Sequence, residues 1–223
     1  MKGTARLAVT MGDPAGVGPE IVVKLCADHE SVPPLVIGDA ELLARVAAEL
    51  APALRVNSIE RIDERRSATG VVDVLAAGPT LVAPPVGRVD AACGRAAFEY
   101  VKAGIALAVA GQLDGIVTAP INKASLSRAG IAYPGHTEML AELGGGTRTS
   151  MMLANDALRV VLVTIHCSLR EAIERVTVER ELDTIRIAQD GARALGVESP
   201  RIAVAGLNPH AGCLLYTSPS PRD

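Results

Sequence analysis

The chain has 223 residues and a formal net charge of −3, from 22 basic and 25 acidic residues, with one Phe, three Tyr and no Trp. This composition excludes a protein that binds nucleic acid through base stacking or through a strongly basic surface. No apolar run is long enough to cross a bilayer, and the N-terminus lacks the apolar stretch of a secretory signal. We therefore expect a cytoplasmic protein without a membrane partner.

Short apolar runs alternate with amphipathic segments along the chain, which is typical of an α/β fold. The predicted strands are residues 6–10, 34–38, 71–75, 115–118, 150–154, 158–165 and 201–205. The predicted helices are residues 19–27, 40–50, 93–112, 123–128, 135–143, 169–175 and 180–195. In the helix 93–112, the spacing of Phe98, Val101, Ile105 and Val109 predicts a buried face. The segment 79–89 is predicted to cross between two subdomains.

Four loops directly follow predicted strands and carry unusual residues. They are residues 11–20 (MGDPAGVGPE), 118–123 (TAPINK), 164–169 (TIHCSL) and 207–212 (LNPHAG). The segment 133–140 (YPGHTEML) places His136 and Thr137 at the start of a helix. Because ligands of open α/β sheets bind at the carboxyl ends of the strands, these loops predict a functional site.

His166 and His210 each follow an apolar predicted strand, and 44 positions separate them in the sequence. Two imidazoles and one further ligand would hold a zinc-like ion with an open coordination position. Alternatively, each histidine caps its strand through a backbone hydrogen bond. The residue spacing leaves both interpretations open.

The pair His136–Thr137 also has two interpretations. The free N–H groups and the positive dipole end at a helix N-terminus suit a phosphate or a carboxylate. Alternatively, Thr137 or Thr147 caps local structure, and Glu138 favours the first helical turn. Lys123 could add a positive charge, although a lone lysine in a loop is usually solvated.

The glycine-rich loop 11–20 does not match a standard nucleotide-binding motif. Gly12, Gly16 and Gly18 are spaced neither as GxGxxG nor as the phosphate loop GxxxxGK followed by Ser or Thr. Pro19 is natural at the first position of a helix, so this loop is predicted to be a tight turn from strand to helix. The chain has no GxSxG motif, which disfavours a serine hydrolase.

Taken in order, the motifs GDPAGVGPE, TAPINK, PGHTEML, the segment around His166 and RIAVAGLNPHAG resemble the 4-hydroxythreonine-4-phosphate dehydrogenase family of pyridoxal phosphate biosynthesis. The resemblance extends over residues 6–212. Relatives that act on 4-phospho-threonate or 4-phospho-erythronate share the same motifs. The resemblance implies an α/β fold with a three-layer mixed sheet, like that of isocitrate and isopropylmalate dehydrogenases.

The resemblance also implies an activity. It is the NAD-dependent oxidation and decarboxylation of 4-phosphohydroxy-L-threonine to 3-amino-2-oxopropyl phosphate. His136 and Thr137 would contact the phosphorylated substrate. His166 and His210 would be two of three histidine ligands of a divalent metal (zinc, cobalt or magnesium), which would act as a Lewis acid. Members of this family are homodimers that share the active site between subunits.

The resemblance ends at residue 212, whereas chains of the family continue through the third metal histidine and most of the NAD site. We therefore expect residues 1–212 to be the N-terminal two thirds of the enzyme, with two interleaved subdomains and a C-terminal truncation. Residues 213–223 (CLLYTSPSPRD) form a tail unlike the family, predicted to be disordered. One rival is a catalytically inactive fragment that binds only substrate or a partner. An isopropylmalate-type dehydrogenase is disfavoured, since those enzymes bind their metal through carboxylates.

Overall fold

The computed structural model describes residues 5–29, 31–146 and 149–208. The chain forms two compact units, Met1–Thr147 and Arg148–Asp223, which are described separately. His210 and the predicted tail 213–223 lie outside the described residues. None of the helices described is long and apolar enough to cross a membrane.

The first unit is built on a five-stranded parallel sheet with the strand order β3-β4-β2-β1-β5. Its strands are β1 (Leu7–Thr10), β2 (Leu35–Gly38), β3 (Arg55–Ile59), β4 (Val71–Ala76) and β5 (Gly115–Thr118). Its α-helices are α1 (Gly18–Ala27), α2 (Ala40–Leu50), α3 (Ala91–Val109), α4 (Lys123–Arg128) and α5 (His136–Leu143), with a short 3₁₀ turn at Ile62–Glu64. The predicted α/β class is confirmed. All strand pairs of this sheet are parallel, and the antiparallel strand pair among the described residues lies in the second unit.

Helices cover both faces of the parallel sheet. From β1 through β2 to β3 the chain moves in one direction across the sheet, and from β4 to β5 it returns. Right-handed crossovers then place α1 and α2 on one face and α3 on the other. Val36 and Ile37 point to opposite faces of β2, and both are fully buried. Each such burial contributes about 1.5–3 kcal/mol to stability. Because helices cover both faces of the sheet, this unit has the predicted three layers.

Helix α3 buries most of its predicted face. Val101 and Ile105 are buried and Phe98 is partly buried, but Val109, the last residue of the helix, is 65 % exposed. The helix begins at Ala91 because the Asp90 side chain caps it by accepting a hydrogen bond from the Cys93 backbone N–H at 2.9 Å. The segment 79–89, predicted to cross between subdomains, connects β4 to α3 within the first unit.

Within its described residues, 149–208, the second unit has a two-stranded antiparallel sheet and two helices. These elements are β6 (Met152–Ala154), β7 (Arg159–Val161), α6 (Leu169–Arg175) and α7 (Val178–Ala194). The strand predicted at residues 201–205 is wrong, because this segment pairs with no strand of the described chain. An apolar run becomes a strand only where another strand accepts its hydrogen bonds.

An exposed ion pair joins the starts of β1 and β5. Arg6 donates to Asp114 from its backbone N–H at 2.8 Å and from Nη2 at 2.7 Å. The guanidinium lowers the pKa of Asp114 from 3.8 to about 2. A lowered carboxyl pKa stabilises the fold above the unfolded-state value, and this contribution disappears as the pH falls through the folded-state value.

Asp114→Asn is therefore expected to be less stable than the unaltered chain, by an amount that is constant above about pH 5 and shrinks towards pH 2. Urea unfolding of both proteins across this range measures the difference. A difference that stays the same down to pH 2 would contradict the assigned role of the ion pair.

Candidate functional site

The carboxyl ends of β1 and β5 are adjacent, but the chain leaves them towards opposite faces of the sheet. After β1 it enters α1, and after β5 it enters α4, which packs against α3. Such a point in an α/β sheet opens a crevice between the two loops. Gly12 has φ +76°, and a Cβ there would lie 2.5 Å from the Pro120 carbonyl oxygen, so only glycine fits. The Asp13 backbone N–H donates to that same oxygen at 2.9 Å, which joins the two loops.

Asp13 is a buried carboxylate at this crevice, with 3 % of its surface exposed. It accepts a hydrogen bond from the Ala15 backbone N–H at 2.8 Å, and the Ser125 side chain also interacts with it electrostatically. The Ser125 oxygen in turn accepts from the Asp90 backbone N–H at 3.2 Å. Burial raises the pKa of Asp13. These contacts connect the loop after β1 with the starts of α3 and α4.

Helix α4 is fixed closely against α3. A Cβ at Gly94 would lie 2.1 Å from the Ser125 carbonyl oxygen, so the two backbones meet where α3 has no side chain. Arg95 Nη2 donates to the Ala129 carbonyl at 2.6 Å, and Arg128 Nη1 donates to the Val89 carbonyl at 2.8 Å. The position of α4 is therefore set by backbone packing and by hydrogen bonds at its C-terminal end.

Helix α5 also docks on α3, through a small apolar cluster. Val101 and Ile105 of α3, Leu126 of α4 and Met139 of α5 are its buried members. The ring of Tyr133, just before α5, stacks on Phe98 of α3 at a centroid distance of 5.9 Å. The cluster orients α5, so its N-terminus lies on the same surface of α3 as α4.

The N-terminus of α5 leaves its polar groups without partners. Gly135 is the N-cap residue and no side chain caps the helix, which excludes the alternative that Thr137 acts as the cap. His136 Nε2 is buried and has no hydrogen-bond partner among the described residues, and burial lowers the pKa of this imidazole below 6.5. The first backbone N–H groups of any helix also lack intrahelical acceptors. This arrangement can bind an anion.

His166 lies in the second unit and does not directly follow a strand as predicted. Strand β7 ends at Val161, and the Val163 carbonyl accepts a hydrogen bond from Arg180 Nε at 2.8 Å instead of one from a strand. His166 has φ +51°, a left-handed conformation that non-glycine residues rarely adopt. Its imidazole is exposed and makes no hydrogen bond with the described part of the chain, so the capping alternative is not observed.

The described residues contain only one of the two predicted metal ligands. An exposed, unpartnered imidazole such as that of His166 has the right chemistry for a zinc-type ion. Within 5–29, 31–146 and 149–208, however, no three His, Cys, Asp or Glu side chains come together to hold a metal. His210 lies outside these ranges, and His136 and Thr137 belong to the other unit from His166.

A family model described as "Pyridoxal phosphate biosynthetic protein PdxA" matches residues 30–214. The chain belongs to the PdxA family. The resemblance inferred from the motifs is thereby confirmed. Among curated PdxA-like proteins, a 4-hydroxythreonine-4-phosphate dehydrogenase of Beijerinckia indica is 50 % identical over 207 residues, which cover 92 % of this chain and 61 % of the relative. A D-threonate 4-phosphate dehydrogenase of Bordetella bronchiseptica is 44 % identical over 211 residues, covering 92 % of this chain and 60 % of the relative.

The fold agrees with a solved PdxA-family structure. The crystal structure of a 4-hydroxythreonine-4-phosphate dehydrogenase from Burkholderia phymatum matches with a TM-score of 0.85 and 40 % identity, over 95 % of this chain and 65 % of that one. This chain spans about three fifths of the curated relatives above (61 % and 60 % of their lengths). Both relatives are dehydrogenases by name.

Sequence reasoning missed two features of this site: the contacts that link Asp13, Ser125 and Asp90, and the close approach at Gly94. The glycines of the loop 11–20 predict a tight turn, but they do not reveal that the Asp13 carboxylate is buried. The sequence signal for the Gly94 contact is a glycine in a stretch of mostly small residues within a long helix, AACGRAA at 91–97. Such a pattern marks a close helix approach only once a partner helix is known.

Proposed function

We propose that this chain is part of an NAD-dependent dehydrogenase that oxidises and decarboxylates 4-phosphohydroxy-L-threonine to 3-amino-2-oxopropyl phosphate, in pyridoxal phosphate biosynthesis. Membership of the PdxA family and the names of its relatives support the dehydrogenase class and a small phosphorylated hydroxy acid as substrate. The observation on which the proposal depends is the N-terminus of α5, where His136 and Thr137 have polar side-chain groups without a partner in the described part of the chain.

The chemistry at α5 suits a phosphate. The N–H groups of the first turn point out of the helix, and the helix dipole adds partial positive charge. The lowered pKa of His136 keeps its imidazole neutral at pH 7, so one ring nitrogen can donate a hydrogen bond without the ring carrying a charge. The Thr137 hydroxyl makes no hydrogen bond to the described residues, which leaves it available as a further donor.

Thr137→Val is expected to weaken binding of 4-phosphohydroxy-L-threonine about 10- to 100-fold, the effect of losing one hydrogen bond to a charged group. The substitution keeps the side-chain shape, and Thr137 does not cap α5. Titration calorimetry measures the affinity, and thermal unfolding serves as the control. Unchanged affinity with an unchanged melting temperature would remove Thr137 from the substrate site.

We also propose a divalent metal (zinc, cobalt or magnesium) and NAD as cofactors. His166 and His210 would hold the metal, which would supply Lewis-acid polarisation of the substrate oxygen. The exposed, unpartnered imidazole of His166 supports this ligand assignment. We further propose a cytoplasmic homodimer with a shared active site, on the basis of the family resemblance alone.

A second candidate substrate is 4-phospho-D-threonate or the corresponding erythronate. The D-threonate 4-phosphate dehydrogenase of Bordetella bronchiseptica, 44 % identical to this chain, supports it. The threonine and threonate substrates share a phosphate, a C3 hydroxyl and a carboxylate, but C2 carries an ammonium in the first and a hydroxyl in the second. The phosphate site at α5 is therefore common to both, and the group that contacts C2 decides between them.

Reduction of NAD by this chain, with each substrate and with added zinc, cobalt or magnesium, tests the activity. Turnover with 4-phosphohydroxy-L-threonine exceeding that with the threonate supports the first proposal, and the reverse order supports the second. Binding without turnover in every combination supports the rival interpretation of the sequence, a catalytically inactive fragment that binds only substrate or a partner.

A further inference from the structure

We infer that Lys123 binds the phosphate group of the substrate beside the N-terminus of α5, an inference that rests on the proposed function. Lys123 is the first residue of α4, and Asn122 caps this helix by accepting hydrogen bonds from the Ala124 and Ser125 backbone N–H groups at 2.9 and 3.1 Å. The Lys123 Cε atom lies 3.9 Å from the position of a Cβ at Gly135, the N-cap residue of α5. The lysine side chain therefore reaches the residue immediately before His136.

The Lys123 ammonium has no carboxylate partner among the described residues. The other two lysines that the structure describes form ion pairs, Lys24 with Glu20 at 2.6 Å and Lys102 with Glu99 at 3.6 Å. Lys123 makes neither an ion pair nor a hydrogen bond within the described chain. Of the three lysines that the structure describes, Lys123 is therefore the one whose charge is available to a ligand.

The surroundings of Lys123 are electrostatically unfavourable until an anion binds. A cation at the first position of a helix lies at the positive end of the helix dipole, and the N-terminus of α5 adds a second positive end nearby. Glu138 is the neighbouring acidic group, with Oε2 3.5 Å from the same Cβ position at Gly135. It makes no ion pair with Lys123, so it offsets this charge only in part.

The helices that carry Lys123 and His136 are held in place before any ligand arrives. The close contact between Gly94 and Ser125 fixes α4, and Met139 fixes α5 on the same face of α3. A tetrahedral phosphate has three free oxygens, which can accept from the α5 N–H groups and from Lys123 at the same time. A charge-assisted hydrogen bond of this kind is about twice as strong as a neutral one.

The test compares Lys123→Ala with Lys102→Ala. Lys102 is the matched control, because it is an exposed lysine of α3 that lies outside the site. Titration calorimetry measures binding of 4-phosphohydroxy-L-threonine and of 4-hydroxythreonine, which lacks the phosphate. Lys123→Ala is expected to weaken binding of the phosphorylated ligand about 10-fold or more and to leave the other ligand unchanged. The loss is expected to diminish as salt is raised, since screening weakens the contribution of an exposed charge.

Two further variants sharpen this result. Lys123→Arg keeps the charge and is expected to retain most of the affinity, whereas Glu138→Gln removes the competing charge and is expected to strengthen phosphate binding. The inference would be overturned if Lys123→Ala bound the phosphorylated ligand as tightly as the unaltered chain does, or if it lost affinity equally for both ligands. The proposed function would remain in either case. If the unaltered chain does not distinguish the two ligands, the proposed phosphate site is wrong and the role of Lys123 is wrong with it.

Discussion

Gly94→Ala is expected to lower the free energy of unfolding by about 2–3 kcal/mol, the upper part of the range for overpacking a core. The added Cβ would lie 2.1 Å from the Ser125 carbonyl oxygen and 2.8 Å from the Leu126 backbone nitrogen. Both are backbone atoms of α4, so no side-chain rotation can relieve the overlap and α4 must move away from α3. Because Lys123 begins α4, the movement is also expected to weaken phosphate binding.

Gly104→Ala is the matched control, since Gly104 lies in the same helix. Replacing glycine by alanine favours the helix by about 1 kcal/mol at either position. A Cβ at Gly104 would meet two side-chain methyl groups, Ile116 Cγ2 at 3.2 Å and Ile37 Cδ1 at 3.3 Å, so these neighbours need to move by only a few tenths of an ångström. Its stability is therefore expected to stay within about 1 kcal/mol of the original. Urea unfolding followed by far-ultraviolet circular dichroism measures both variants. Equal effects of the two substitutions would show that α4 is not fixed by the contact at Gly94.

The buried strands were predictable because each is a short run of apolar residues on its own. Strand β3 was missed, since its sequence RVNSI contains only two apolar residues. It is a strand because it pairs with β4 along its whole length, and the Asn57 side chain donates to Asp73 at 2.7 Å across the pair. The segment 201–205 shows the reverse case, an apolar run without a pairing strand. Strand formation in both segments depends on a neighbour that no local pattern reveals.

The helix start at His136 and Thr137 was predictable from the sequence, but the role of Lys123 was not. A lysine following a strand is usually solvated, and the sequence gives no sign that Lys123 lies beside Gly135, 12 residues further along the chain. The two residues are close because α4 and α5 dock side by side on α3 through Leu126 and Met139. Sequence motifs therefore located the loops of the site, whereas packing between helices determined which charge lies beside which helix end.

His166→Ala is expected to weaken zinc binding by more than about 100-fold, because loss of a direct ligand exceeds the 10- to 100-fold effect of losing a group that only orients one. Competition with a chromogenic chelator measures the affinity of the chain for zinc. His29→Ala is the control, since His29 is an exposed histidine that hydrogen-bonds to Ser31. Unchanged zinc affinity in the His166 variant, or no zinc binding by the unaltered chain, would contradict the proposed ligand.

A second variant at this position separates the role of the imidazole from that of the backbone. At φ +51°, His166 is in a conformation that an L-residue adopts at a cost of about 1–2 kcal/mol and that glycine adopts freely. His166→Gly is thus expected to lose zinc as His166→Ala does, yet to be about 1 kcal/mol more stable than the alanine variant. Ser67→Gly, at φ +48°, is expected to gain stability in the same way with zinc affinity unchanged. Zinc binding retained by His166→Gly would contradict the assigned role of the imidazole.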